Sequence, residues 1–268
     1  AHSRAAGVTH VRGPDALTGD PHLSEPIDGL DAIGPFIDQG IVSEVLFQVK
    51  SGKEAVVYCC RGGTASNREL LAAKVYRRLQ WRSFRNDQDY FEGRVILGGR
   101  NRRAFAAGTS HGRDVQHGYW KAGEWDALRD LHAAGADVPE PIARSGGALL
   151  LEYLGDPEGP APQLIRTELG REEAEEAYER LLWNVELFLS RDRVHADLSA
   201  HNVLWWGGRV RVIDFPQSVD ARTNPRAQEF LFRDLENIDT YFARHGVRTR
   251  GREFGFEVWE RFAMGDIG

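Results

Sequence analysis

The chain has 268 residues, 41% of them hydrophobic, enough to bury a sizeable core in one large domain or in two lobes. Its net charge of -6 argues against general coating of nucleic acid, and its longest apolar runs, GGALLLEYL and LLWNVELFL, fall short of the roughly 18 residues a membrane span needs. Only Lys50, Lys53, Lys74 and Lys121 among the 34 basic residues are lysines; the arginine bias fits a bacterial protein from a GC-rich genome and makes each lysine worth explaining.

Residues 1–27 lack hydrophobic period and are rich in Gly, Pro and polar residues, so a flexible N-terminal tail is expected. A short helix is expected around residues 30–39, stopped by Gly40. SEVLFQV, AVVYCC and RELLAAKVYR then read as three strands joined by the turns KSGKE and RGGTASN. Cys59 and Cys60 would point to opposite faces of such a strand, so a disulfide between them is not expected. With no secretory signal and no metal-ligand cysteine spacing, the chain reads as cytoplasmic, with no membrane segment.

Residues 81–118 are broken by glycines and loaded with arginine, and read as a flexible insertion. YWKAGEWDALRDLHAAG has helical spacing at Trp120, Trp125, Leu128 and Leu131 and stops at Gly135. VPEPIARSGGALLLEYLGD reads as a hairpin about a Ser-Gly-Gly turn. REEAEEAYERLLWNVELFLSRD is a helix with acids in its first turns and Tyr178, Leu181, Leu182, Val185, Phe188 and Leu189 along one face. VHADLSAHNVLWWGGRVRVIDF follows as a loop and two short strands around a Gly-Gly turn. NPRAQEFLFRDLENIDTYFARHG is a helix with Asn224 as N-cap, Pro225 at the first helical position and Gly246 at its end. The expected organisation is α+β and bilobal: a tail over 1–27, a β-rich N-lobe over 28–151 that includes the insertion and a glutamate-bearing helix, and a reduced, mostly helical C-lobe over 152–268.

HADLSAHNVLWWGGRVRVIDF carries the chemistry. Phosphoryl transfer needs a carboxylate to orient the attacking oxygen, hard oxygen ligands for magnesium and a lysine on the phosphates. Asp197 is the candidate base and Asn202 a metal ligand. Asp214 is a second metal ligand, brought near Asn202 because a hairpin joins the ends of its strands. This matches the protein-kinase pattern H-x-D-L-x-x-x-N followed by Asp-Phe, with Ala196 where an arginine usually stands. Ala72 and Lys74 share a strand face, the small residue standing two places before the phosphate-gripping lysine as such a site requires. Glu124 is the candidate partner of Lys74. In KSGKEAVV, Gly52 holds one glycine position of a phosphate-covering loop, Ala55 another and Val57 the following valine.

Each piece alone has an ordinary reading. Lys74 suits an edge strand, Glu124 a solvated helix, Lys53 and Glu54 a turn, and the arginine-rich loop a solvated insertion; His195 is read as bracing its loop. What lifts the case is order: turn, lysine strand, glutamate helix, hairpin, catalytic loop and metal hairpin follow as a bilobal kinase requires. After Asp214 there is room for about two helices of ordinary length and no A-P-E motif, so the usual peptide platform is expected to be missing or very different.

GIVSEVLFQVKSGKEAVVY, AAKVYR, EWDALRDLHAAGADVPEP, LLLEYLGD, VHADLSAHNVL and VIDFPQSVD together resemble the RIO family of atypical serine/threonine kinases, most nearly its RIO-one branch, over roughly residues 28–260. The resemblance implies a protein-kinase-like (RIO) fold that binds ATP with Mg2+, or Mn2+ in its place. It implies Asp197 as catalytic aspartate and Asn202 and Asp214 as metal ligands. Ser51, Gly52 and Lys53 would line the phosphate loop with Val57, Ala72, Lys74 and Glu124 as above, and the backbone around Glu152 and Leu154 would meet adenine. Some members are described as ATPases that pass through a phosphoaspartate, for which the matching residue is Asp214. The implied partners are ATP, an unidentified protein substrate or the chain itself, and a ribosome-related partner by resemblance alone. Phe215, Pro216 and His201 depart from the branch pattern and bear on the ribosomal role more than on the ATP chemistry. Two other readings stay open on the residues: a small-molecule phosphotransferase of the aminoglycoside or choline kinase type, and a non-catalytic nucleotide-binding assembly factor.

Overall fold

The computed structural model describes residues 30–77 and 123–267; the expected tail over 1–27 and insertion over 81–118 lie outside the described residues. Two compact units form. The described residues up to 77 join Ile142–Pro160 in the first, and residues 123–141 join those from Ala161 onward in the second. The chain leaves the first unit after the lysine strand, returns for one hairpin, and leaves again after Pro160.

The first unit is a five-stranded antiparallel sheet. Its strands are β1 (Val42–Ser51), β2 (Ala55–Gly62), β3 (Leu70–Tyr76), β4 (Pro141–Arg144) and β5 (Ala148–Glu152), in the order β1-β2-β3-β5-β4. Helix α1 (Leu30–Asp38) stops at Gly40, whose φ of 70° suits a residue without Cβ. It covers one face: Ile33 and Phe36 pack with Val42, Cys60, Leu71, Ala73, Val75, Ala148 and Leu150. Along β3, Leu71, Ala73 and Val75 are buried under α1, while Ala72 and Lys74 alternate to the other, half-buried face. Cys60 joins the α1 core and its neighbour Cys59 faces the opposite side; both are buried free thiols, pushed up to about 12 and about 11 by burial.

The second unit is mostly helical. Residues 123–133 form α2, followed by α3 (Arg171–Ser190), α4 (Ala227–Ala243) and α5 (Gly251–Met264). The buried stripe of α2 is Glu124, Ala127, Leu128 and Leu131, with Trp125 half-buried beside it; a carboxylate takes the place expected of an aromatic. In α3 every residue of the expected apolar face is buried. Each buried leucine or phenylalanine there contributes about 1.5–3 kcal/mol against exposure. Before α4, Asn224 Oδ1 accepts the N–H of Arg226 at 2.8 Å, as an N-cap does. The helix itself begins at Ala227 because residues 225 and 226 form a turn. Two helices follow Asp214, as the sequence suggested.

Four short strands frame the loops of interest: β8 (Arg193–Val194), β9 (Val203–Trp206), β10 (Arg209–Val212) and β11 (Val219–Asp220), after the small hairpin of β6 (Gly155–Asp156) and β7 (Gly159–Pro160). β9 pairs with β10 through Gly207 and Gly208, whose φ angles of 59° and 71° make the two-residue turn that glycine favours. β8 pairs with β11. The loop 195–202 and the loop 213–218 are thus each closed by a ladder at both ends and run beside one another.

Candidate active site

In the first unit, register fixes which side chains share a surface. Val57 lies opposite Lys74, and Lys74 opposite Leu149; in the next row Cys59 lies opposite Ala72, and Ala72 opposite Leu151. Directly opposed residues in a sheet project to the same face. Val57, Ala72 and Lys74 therefore stand together on the face that α1 does not cover, and the Lys74 ammonium lies 5.8 Å from the Tyr76 ring centroid. Ser51, Gly52 and Lys53 form the tip between β1 and β2, closed by the Gly52 N–H on Ala55 O at 2.9 Å, with Ser51 and Lys53 exposed. Glu152 pairs with Leu71 and so points to the opposite face, where its carboxylate lies 3.5 Å from Arg68; Leu154 is buried.

In the second unit, the carboxylate of Asp197 is exposed, and Asn202 Nδ2 donates to its Oδ2 at 3.0 Å and to its backbone oxygen at 2.8 Å. Committing the nitrogen this way leaves the amide oxygen, the atom able to ligate a hard cation, on the other side of the group. Asn202 O accepts the Ile213 N–H at 2.9 Å, which extends the β9–β10 ladder by one pair and sets Asp214 one residue beyond it. Asp214 has φ 74° and Ala196, just before Asp197, has φ 64°; both are strained backbone positions for residues with a Cβ. Glu124 Oε1 accepts the Phe215 N–H at 3.3 Å, tying α2 to the residue after Asp214.

His195 braces the loop as expected. It is buried, its Nδ1 accepts the Asp197 N–H at 3.3 Å, and its Nε2 lies 3.2 Å from Ile213 O, a pattern that selects the neutral Nε2–H tautomer. Its ring packs 4.5 Å from Phe215, which packs in turn on Phe188 of α3.

Sequence reasoning missed a second brace. Asp234 of α4 is buried and accepts the N–H groups of Ala196 at 2.7 Å and Leu198 at 2.9 Å, one on each carboxylate oxygen. Arg233 donates to Ala196 O, and Asn237 Nδ2 to Leu198 O at 3.1 Å. Burial pushes the Asp234 carboxyl up to about 8, against the two N–H groups and Arg233, which favour the anion. The signal was available: Asp234 falls inside the stripe Ala227, Phe230, Leu231, Leu235, Ile238, where an acid needs a partner. Asn184 breaks the α3 stripe in the same way; its amide bonds Asp137 Oδ2 at 2.7 Å, while Asp137 O accepts the Val212 N–H and so steadies β10.

The donor set at Asn202 and Asp214 is one amide and one carboxylate. Among the described residues no group of three or more His, Cys, Asp or Glu side chains could hold a metal ion. Two hard oxygen ligands fit Mg2+, which keeps waters and takes further oxygens from phosphates, rather than a metal that needs a full protein cage.

The model of the RIO domain family matches residues 56–254. The chain belongs to the RIO domain family. Its relatives include the human serine/threonine-protein kinase RIO1, 32% identical over 212 residues, covering 79% of this chain and 35% of that one. The RIO-type serine/threonine-protein kinase Rio1 of Haloferax volcanii is 31% identical over 237 residues, covering 88% of this chain and 74% of that one. Against the human RIO kinases this RIO chain spans 35% to 41% of their length. The solved Rio2 kinase–ADP/Mg2+–phosphoaspartate complex from Chaetomium thermophilum has the same fold, with a TM-score of 0.59 at 18% identity over 85% of this chain and 66% of that one. The β-rich first unit and helical second unit are thus those of an α+β, kinase-like RIO fold.

Proposed function

We propose that the chain is an ATP- and Mg2+-dependent phosphotransferase acting on serine or threonine, in a protein acceptor or in itself, and that it also turns over ATP through a phosphoaspartate on Asp214. The supporting observation is the Asp197–Asn202 pair, hydrogen-bonded together and anchored one residue before Asp214. Catalysis of this kind is mostly positioning and charge. Asp197 orients the acceptor hydroxyl and takes its proton as that oxygen bonds to the γ-phosphorus and ADP departs. Asn202 Oδ1 and Asp214 would hold magnesium, which would supply positive charge against the phosphates. Lys74 grips the phosphates, with Glu124 as its acidic counterpart. Ser51, Gly52 and Lys53 cover the phosphates, and Val57, Ala72 and the backbone around Glu152 and Leu154 receive adenine. In the ATPase branch an Asp214 oxygen attacks the γ-phosphorus, ADP leaves, and water then hydrolyses the acyl phosphate. The family relatives named as kinases, and the Rio2 complex with ADP, Mg2+ and phosphoaspartate, support these roles.

A cytoplasmic location belongs to the same proposal; no described helix is long and apolar enough to cross a membrane. A ribosome-related partner rests on family likeness alone.

Incubation with γ-labelled ATP and Mg2+ tests the proposal. The wild type should acquire label, acid-stable where it is a serine ester and hydroxylamine-labile where it is on Asp214. Asp197→Asn should lose the ester and Asp214→Asn the labile label. Indistinguishable labelling of wild type and Asp197→Asn would remove Asp197 from its role. An aminoglycoside or amino alcohol phosphorylated far faster than any protein would replace the protein acceptor.

A further inference from the structure

The phosphate loop is gripped by a residue outside its own hairpin. Arg77, directly after β3, donates from Nη2 to Ser51 Oγ at 2.7 Å and from Nε to Gly52 O at 3.0 Å. Its backbone N–H donates to Glu54 O at 2.9 Å. One residue thus holds positions 51, 52 and 54 and leaves Lys53, between them, with an exposed side chain. Arg77 is the third residue after Lys74 and directly follows β3, a strand paired along both edges, to β2 and to β5. The loop and the lysine are therefore referenced to the same rigid strand.

We infer that Arg77 is a positioning residue for triphosphate binding, holding the 51–54 turn in the geometry that receives phosphate. The inference rests on the ATP reading above. A hairpin tip left free must be ordered on binding, and that ordering is subtracted from affinity; a loop held beforehand avoids the loss. The planar guanidinium fork meets two oxygens at once, whereas an ammonium is a single-headed donor. With Nε and Nη2 engaged by Gly52 and Ser51, Arg77 acts through the loop.

The test compares Arg77→Met, Arg77→Lys and Ser51→Ala with wild type in the full chain. It reads amide hydrogen exchange of residues 52–54 without nucleotide, and dissociation constants for Mg-ATP and for adenosine. Arg77→Met should speed exchange of those amides and weaken ATP about tenfold, the low end for charge-assisted bonds at an exposed site, while adenosine stays within about twofold. Arg77→Lys should recover part of the ATP affinity. The losses from Ser51→Ala and Arg77→Met should be less than additive in the double variant, because the two substitutions remove one shared bond; full additivity overturns the inference. Unchanged ATP affinity in Arg77→Met, or equal losses for ATP and adenosine, overturns the inference. So does weaker ATP binding with unchanged exchange, which would mean direct phosphate contact. A wild type that does not prefer ATP to adenosine refutes the ATP reading and the phosphate role of Arg77 with it; a wild type that does, beside an Arg77→Met that loses nothing, refutes Arg77 alone.

Discussion

Asn202 donates through one amide nitrogen to both the carbonyl oxygen and Oδ2 of Asp197, at 2.8 and 3.0 Å. The first bond closes the loop upon itself; the second fixes one carboxylate oxygen. Asp197→Asn keeps the shape and removes the proton acceptor, so phosphoryl transfer should fall by about 10²–10⁴-fold at an unchanged melting temperature. Asn202→Ala should lower the rate and also raise the Mg2+ concentration needed for half-maximal rate. A rate loss that excess Mg2+ leaves untouched, and that matches Asp197→Asn, would assign Asn202 to the carboxylate alone.

Lys74 stands on the sheet face opposite α1, between Val57 and Leu149. It is half-buried and outside the α1 core, so Lys74→Ala should leave the fold intact. ATP affinity should drop by about tenfold or more while adenosine affinity holds, since the lost bonds are to phosphate. Titration with both ligands, alongside a melting curve, checks this.

Asp234 satisfies two buried backbone N–H groups that flank Asp197. Asp234→Ala orphans both, at about 1–3 kcal/mol each, and should lower the transfer rate because the loop loses its anchor. Denaturant unfolding and single-turnover kinetics on one preparation measure the two effects.

The same carboxyl gives a pH dependence of stability. Its native value, pushed up to about 8, lies above the ordinary 3.8, so the native state binds the proton more tightly than the unfolded chain. That stability is fully present below about pH 4 and is lost as pH rises toward 8. Arg233 opposes the shift and Asp197 reinforces it. Unfolding free energies of wild type and Asp234→Asn between pH 4.5 and 8.5 should show the wild type losing ground as pH rises. A difference independent of pH would mean that the carboxyl ionises normally.

Away from the site, Tyr178 Oη donates to Asp239 Oδ1 and accepts the Arg250 N–H, both at 2.7 Å, while Asp239 caps Gly251 at the start of α5. Tyr178→Phe removes both bonds and should cost about 1–3 kcal/mol, mainly through the orphaned N–H. Activity per folded molecule should not change.

Chemistry carried by contiguous residues was legible in the sequence. HADLSAHN puts the candidate base and the candidate ligand in one loop, and the Gly-Gly turn that returns the chain to Asp214 follows from the need for positive φ. The strand face shared by Ala72 and Lys74 follows from alternation, and the α3 stripe from helical period. Where one element meets another, pattern was silent. Trp125 looked like the core residue of α2, yet Glu124 is the one buried, because its carboxylate finds the Phe215 N–H.

By itself the sequence determined the order of elements, the residue types able to do phosphoryl chemistry and the family they belong to, because period, turn residues and short motifs are local. Only the tertiary structure decided what holds those residues still: Asp234 and Arg233 under the 195–202 loop, Asn184 and Asp137 behind the β9–β10 hairpin, Arg77 across the 51–54 turn. A polar group becomes a brace only when a distant part of the chain supplies its partner and removes its water, and one-dimensional pattern records neither event.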